Sequence, residues 1–167
     1  GLIAQGVYNT LKLYDKINGN YYLNDNDIGK YSELSRSNFI NALNNGWNDF
    51  SQTYGKFHLV YHLDHSNFNS MGTSTKIKGE SIYRNDVDEL MNGLDYLQII
   101  YSDGCHPNEF SKKSISEHFI NNENGGCVAF IGNSNAGWWG DEYRFKTDFC
   151  EKLYRGEQYH IGNLKVL

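Results

Sequence analysis

The sequence predicts an α/β fold, a mostly parallel sheet flanked by helices on both faces. Three runs carry the prediction: Phe57-His58-Leu59-Val60-Tyr61, Tyr96-Leu97-Gln98-Ile99-Ile100-Tyr101 and Cys127-Val128-Ala129-Phe130-Ile131. Each is short and apolar, with the β-branched and aromatic residues of strands buried on both faces, and each stops at a polar or glycine-rich cluster. Segments with helical spacing separate them, and a helix between two parallel strands is the crossover such a sheet requires.

From the amino end, residues 1–6 read as a helix end closed by Gly6, and Val7 to Tyr14 as a strand. The opening Gly1-Leu2-Ile3-Ala4 resembles the middle of a helix, so residues 1–167 read as one domain or subdomain taken from a longer chain. Asp15 to Ser35, rich in Asn, Asp, Gly and Tyr, has no period and reads as a long surface loop or hairpin, a length that suggests a functional role. Ser37 is the expected N-cap of a helix over Asn38 to Asn45, with Phe39, Ile40 and Leu43 on one face and Gly46 after its end. Asn67 to Gly79 is small and polar and reads as a loop. Asp86 to Asn92 places acidic residues in a helical first turn, with Gly93 beyond the last. Ser114-Ile115-Ser116-Glu117 has capping-box spacing for a helix that turns Ile115 and Phe119 inward and ends near Asn122, before Gly125-Gly126. After the third strand, Gly132 to Gly140 is a loop. Asp141 to Tyr154 returns to helical spacing through Phe145, Phe149 and Leu153. No repeat, linker or second domain interrupts the pattern.

Fifteen basic against twenty acidic residues leave a net charge of −5, which offers no footprint for nucleic acid or an anionic membrane. No apolar run approaches the ~20 residues of a membrane helix, so a soluble chain without a membrane span is expected. Three cysteines, Cys105, Cys127 and Cys150, without CxxC spacing, indicate neither a disulfide framework nor a structural zinc site, and no cofactor is implied.

Chemistry is expected where two of the strands end. The second run leads through Ser102-Asp103-Gly104 to Cys105, and open α/β sheets keep their reactive groups at the carboxyl ends of strands. A cysteine there, after a glycine and before a helix, can meet backbone N–H groups that favour its thiolate. Cys127 and Cys150 lie on apolar faces and read as buried structural residues. The first run ends in His62-Leu63-Asp64-His65-Ser66, which places a histidine at the end of a neighbouring strand. His65 is the first choice of base and His62 the second. His58 lies inside the strand, His118 and His160 read as ordinary helix and tail residues, and His106 adjoins Cys105, from which its side chain must diverge. Cysteine beside histidine is a nucleophile with its base, the reactive half of a cysteine peptidase. A competing reading takes His62-x-Asp64-His65 as the end of the His-x-His-x-Asp-His ligand pattern of metallo-β-lactamase-like hydrolases. Val60 occupies the first histidine position of that pattern, so no metal is expected.

Taken in order, several blocks resemble the gingipain family of cysteine peptidases, over about Phe39 to Gly162. They are His65 after a strand, Asp86 to Gly93 before the next, Gly104-Cys105 at its end, Ile115-Ser116-Glu117-His118-Phe119, Gly125 to Ser134, and Gly137-Trp138. The resemblance implies a caspase-like fold, a Cys-His pair on adjacent strands, and endopeptidase action on a protein or peptide substrate. It also implies a secreted, periplasmic or cell-surface bacterial location. The Gln-Ala-Cys-x-Gly signature of caspases is absent, which limits that similarity to fold. Carried onto this chain, Cys105 is the nucleophile, His65 the general base and acid, and the backbone N–H groups of Ser66 and Cys105 the oxyanion donors. The family has His-Gly where this chain has His65-Ser66, but a backbone donor survives any side chain except proline. Asn133 to Trp138 matches the loop flanking the substrate's P1 pocket, which makes Asn133, Ser134 and Trp138 substrate-binding residues. No third catalytic residue is identifiable: Asp64 adjoins His65 and is expected to point away, and an acid from the Asp15 to Asp27 loop or from a missing amino-terminal part with which this piece associates is an equal alternative. The His-Ser departure also keeps open a non-catalytic relative, a binding or structural domain with the same fold.

Overall fold

The computed structural model describes residues 35–46, 48–49, 52–53, 59–73, 80–137, 149 and 152. The expected helix end at 1–6, the strand Val7 to Tyr14, the Asp15 to Asp27 stretch, Trp138 and Cys150 lie outside them. The chain divides into two compact units, Gly1–Leu23 with Trp138–Leu167, and Asn24–Gly137. In the first, Phe149 and Lys152 have helical backbone, as the Asp141 to Tyr154 spacing predicts, and Phe149 is buried. Among the described residues no helix is long and apolar enough to cross a membrane.

The second unit is α/β, and its parallel sheet follows from the three apolar runs. A two-residue antiparallel pair, β1 (Asn48–Asp49) and β2 (Gln52–Thr53), precedes that sheet in the chain and belongs to a separate sheet. Strands β3 (Leu59–His62), β7 (Gln98–Ser102) and β8 (Cys127–Gly132) form the order β3-β7-β8. Both pairings are parallel, with Leu59 opposite Ile99, His62 opposite Ser102, and Ser102 opposite Gly132. Central strand β7 buries Gln98, Ile100, Tyr101 and Ser102, as a strand covered on both faces must. Helix α1 (Arg36–Asn45) contributes Phe39 and Leu43 to the core, and α3 (Ile115–Asn121) contributes Ile115 and Phe119. The Gln98 side-chain N–H donates to the Leu43 carbonyl at 2.9 Å, which ties the end of α1 to the sheet, while the amide oxygen is buried without a hydrogen-bond partner among the described residues.

Three local readings are corrected. First, α1 begins earlier than expected because Ser35 is the N-cap. Its hydroxyl accepts the Asn38 N–H at 3.1 Å, while Ser37 merely pairs with Ser35. The earlier start places Arg36 on Asp86 through two guanidinium hydrogen bonds, which raise the arginine's pKa.

Second, part of the polar Asn67 to Gly79 stretch is sheet. Strands β4 (Ser66–Asn67), β5 (Ser70–Gly72) and β6 (Ser81–Tyr83) pair antiparallel in that order. The turn is made by Asn67, whose side-chain oxygen accepts the N–H groups of Asn69 and Ser70. Such short strands show no alternation; Met71 and Ile82 are their apolar core residues.

Third, the Asp86 to Asn92 helix is shorter and earlier. Helix α2 spans Arg84–Asp88, with the Asp86 carboxylate accepting the Tyr83 N–H at 2.8 Å. Buried Asn92 instead bonds the chain ahead of β8, donating to the Gly126 carbonyl at 3.0 Å and accepting the Gly126 N–H at 2.6 Å. Gly126 must be glycine: its φ is +85° and a Cβ would stand 2.0 Å from the Phe119 carbonyl oxygen. Helix α3 starts where expected, but its capping box does not form, because the Ser114 hydroxyl pairs with that of Ser116.

Candidate active site

Parallel pairing brings two loops out of the sheet side by side. With His62 opposite Ser102, the chain reaches His65 three residues past one strand and Cys105 three residues past its neighbour. The loops touch through Ser66, whose hydroxyl donates to the Cys105 carbonyl at 2.7 Å. Gly104 makes the approach feasible, since a Cβ there would stand 2.0 Å from Ser66 Oγ and 2.8 Å from the Asp64 carbonyl oxygen.

Cys105 is a free, half-buried thiol with Sγ 3.8 Å from the Gly137 carbonyl oxygen. The next residue, His106, has φ of +57°, a left-handed conformation uncommon outside glycine, and its N–H donates to the Asn135 carbonyl at 2.9 Å. The loop after β8 therefore lies against the loop after β7. Asn133 strengthens that contact by donating its side-chain amide to the Gly104 carbonyl at 3.0 Å, and the Asn108 N–H donates to the Asn133 carbonyl at 3.2 Å. Ser134 is exposed on the same loop. Asn133 is thus engaged with the cysteine loop's backbone, a role that nothing in its spacing announced.

His65 is exposed. Its carbonyl accepts the Gly72 N–H at 2.8 Å and its own N–H donates to Asp64 Oδ1 at 2.6 Å, so the Asp64 carboxylate engages the backbone of His65. The Gly72 bond also orients Ser66. In an antiparallel ladder hydrogen-bonded and non-bonded pairs alternate, so Ser66 opposite Met71 turns its N–H away from β5.

His62, the second choice of base, is corrected: it is buried and both ring nitrogens are engaged. Nε2 lies 2.9 Å from the Gly72 carbonyl oxygen, which can only accept, so Nε2 carries the proton. Nδ1 then accepts from the Ser102 hydroxyl at 2.8 Å. This geometry also removes His62 from the competing ligand set, and among the described residues no three His, Cys, Asp or Glu side chains gather into a potential metal site. Cys127 is buried as expected, and burial pushes its thiol up to about 12.

Burial lowers the pKa of His62, opposed by its bond to the Gly72 carbonyl and by the Asp64 charge. In the unfolded chain a histidine titrates near ~6.5. Between the lowered folded value and ~6.5 the unfolded state binds the extra proton, so this contribution to stability is complete above ~6.5 and is lost as pH falls below it. Thermal unfolding between pH 8 and pH 5 is expected to show the decline, and His62→Gln to make it shallower. Equal slopes in the two proteins would contradict a buried neutral imidazole.

No curated protein and no solved structure matches the chain. The sequence model described as peptidase family C25 matches residues 3–166.

Proposed function

The chain belongs to peptidase family C25, the gingipain family, and from that premise we propose that it is a cysteine endopeptidase with Cys105 as nucleophile and His65 as general base and acid. One observation carries the assignment: the β3/β7 register sets His65 and Cys105 equally far past adjacent strand ends, in loops joined by the Ser66 hydroxyl.

In this reading His65 takes the thiol proton as Cys105 Sγ adds to the scissile carbonyl carbon. The negative charge that develops on the carbonyl oxygen is held by the N–H groups of Ser66 and Cys105. The outward turn of the Ser66 N–H supports that role. Collapse of the adduct breaks the C–N bond, with His65 protonating the leaving amine, and leaves a thioester on Cys105. His65 then deprotonates a water, which attacks the thioester and releases the acid and the free thiol. Family resemblance assigns Asn133, Ser134 and Trp138 to the pocket for the residue before the scissile bond. The substitution of Ser66 for the family's glycine leaves the backbone donor in place.

Brief, substoichiometric iodoacetamide treatment at neutral pH, followed by digestion and mass mapping, tests the reading. Cys105 is expected to be labelled well ahead of Cys127, whose burial both shields it and raises its pKa. Slow and uniform labelling of the cysteines would mean that the domain keeps a peptidase fold without the chemistry.

A further inference from the structure

His62 touches neither expected reactive side chain, yet it joins the two loops that carry them. On one side its Nε2–H donates to the Gly72 carbonyl at 2.9 Å, and the Gly72 N–H donates to the His65 carbonyl at 2.8 Å. On the other, its Nδ1 accepts from the Ser102 hydroxyl at 2.8 Å, and Ser102 Oγ faces the Gly104 N–H at 3.4 Å. The backbone adds a third tie, from the Asp103 N–H to the His62 carbonyl at 3.0 Å.

These side-chain and backbone bonds run in one direction: Gly104 N–H to Ser102 hydroxyl, hydroxyl to Nδ1, Nε2–H to the Gly72 carbonyl, Gly72 N–H to the His65 carbonyl. The bonds through the Ser102 hydroxyl and the imidazole polarise one another in a low-dielectric interior, while Gly72, whose carbonyl and N–H belong to different peptide units, passes the tie on through its backbone geometry. His62, Ser102 and Gly104 are buried, so no water replaces a lost member at the same geometry without rearrangement. An imidazole is suited to the position because its two nitrogens point to opposite sides, one donating and one accepting.

We infer that His62 is a positioning residue that fixes the His65 loop and the Cys105 loop at one separation by bridging Gly72 and Ser102. The inference rests on the peptidase reading of Cys105 and His65. Misplacement of reacting groups by about 1 Å costs on the order of 10² in rate, so the bridge should be visible in kcat while substrate affinity, set elsewhere, changes little.

The test uses the full chain and compares the wild type with His62→Phe, His62→Gln and Ser102→Ala. The readouts are the iodoacetamide rate constant at Cys105, and kcat and KM on a quenched fluorescent peptide cleaved by the wild type, scaled to titrated Cys105. His62→Phe fills the space without either bond and is expected to lower kcat about ten- to a hundredfold with KM within about twofold, and to slow alkylation about tenfold. His62→Gln keeps an amide donor for Gly72 and should recover part of the loss, a rescue that a space-filling role would not produce. Ser102→Ala should lower kcat on its own, and combined with His62→Phe it should add little, because the two remove one bridge. Should His62→Phe fail to fold, Ser102→Ala carries the same test. An active wild type whose kcat survives these changes, or effects that simply add, overturns the bridge while leaving the peptidase reading intact. A wild type with inert Cys105 and no cleavage overturns both.

Discussion

Cys105→Ala is expected to abolish peptide hydrolysis, a loss of at least about 10³-fold, with a thermal midpoint within a few degrees of the wild type. The size of the effect follows from the covalent route: without the thiolate there is no acyl-enzyme, and the remaining groups can only bind and polarise the carbonyl. The small structural cost follows from the site. Cys105 is half-buried in a loop, and its Sγ lies 3.8 Å from the Gly137 carbonyl oxygen, in the range of a weak thiol donor. Cleavage of a peptide followed by mass spectrometry, beside a circular dichroism melt, separates the two expectations. Hydrolysis that persists in the alanine variant would sink the nucleophile assignment.

Gly104→Ala should damage activity less than the loss of the thiol but also be costly to the fold. A methyl group there would meet Ser66 Oγ at 2.0 Å, Ser66 Cβ at 2.6 Å and the Asp64 carbonyl oxygen at 2.8 Å. The hydroxyl can rotate away, but Ser66 Cβ and the Asp64 backbone cannot, so the two loops must separate and the Ser66 bond to the Cys105 carbonyl is lost. Overpacking of this kind costs about 1–3 kcal/mol, and displacement of the reacting groups about 10²-fold in kcat. Pairing it with Ser66→Gly removes two of the three close contacts and should restore part of both losses. Wild-type kcat in the single variant would show that the loops do not pack this way in solution.

Much of this arrangement is legible in the sequence because its carriers are local. Apolar runs that end in polar clusters mark strands buried on both faces, and Gly104-Cys105 and His65 sit at their ends because a strand must hand over to a loop there. Parallel order follows from the intervening crossover segments. The short strands β4, β5 and β6 were not legible: two or three residues carry no alternation, and their pairing is decided by the Asn67 turn and by Met71 and Ile82 reaching the core. The start of α1 was ambiguous for a related reason, since Ser35 and Ser37 are both competent caps and Arg36 reaching Asp86 is a tertiary contact.

By itself, then, the sequence determines an α/β chain with a cysteine and a histidine at adjacent strand ends, because periodicity and residue chemistry act within a few residues of each other. Only the tertiary structure decides that His62 faces inward as a neutral bridge while His65 faces out. His62 ends the strand that His65 follows, and what distinguishes them is the Gly72 carbonyl and the Ser102 hydroxyl, groups brought to His62 by a hairpin and a neighbouring strand that no local pattern places there.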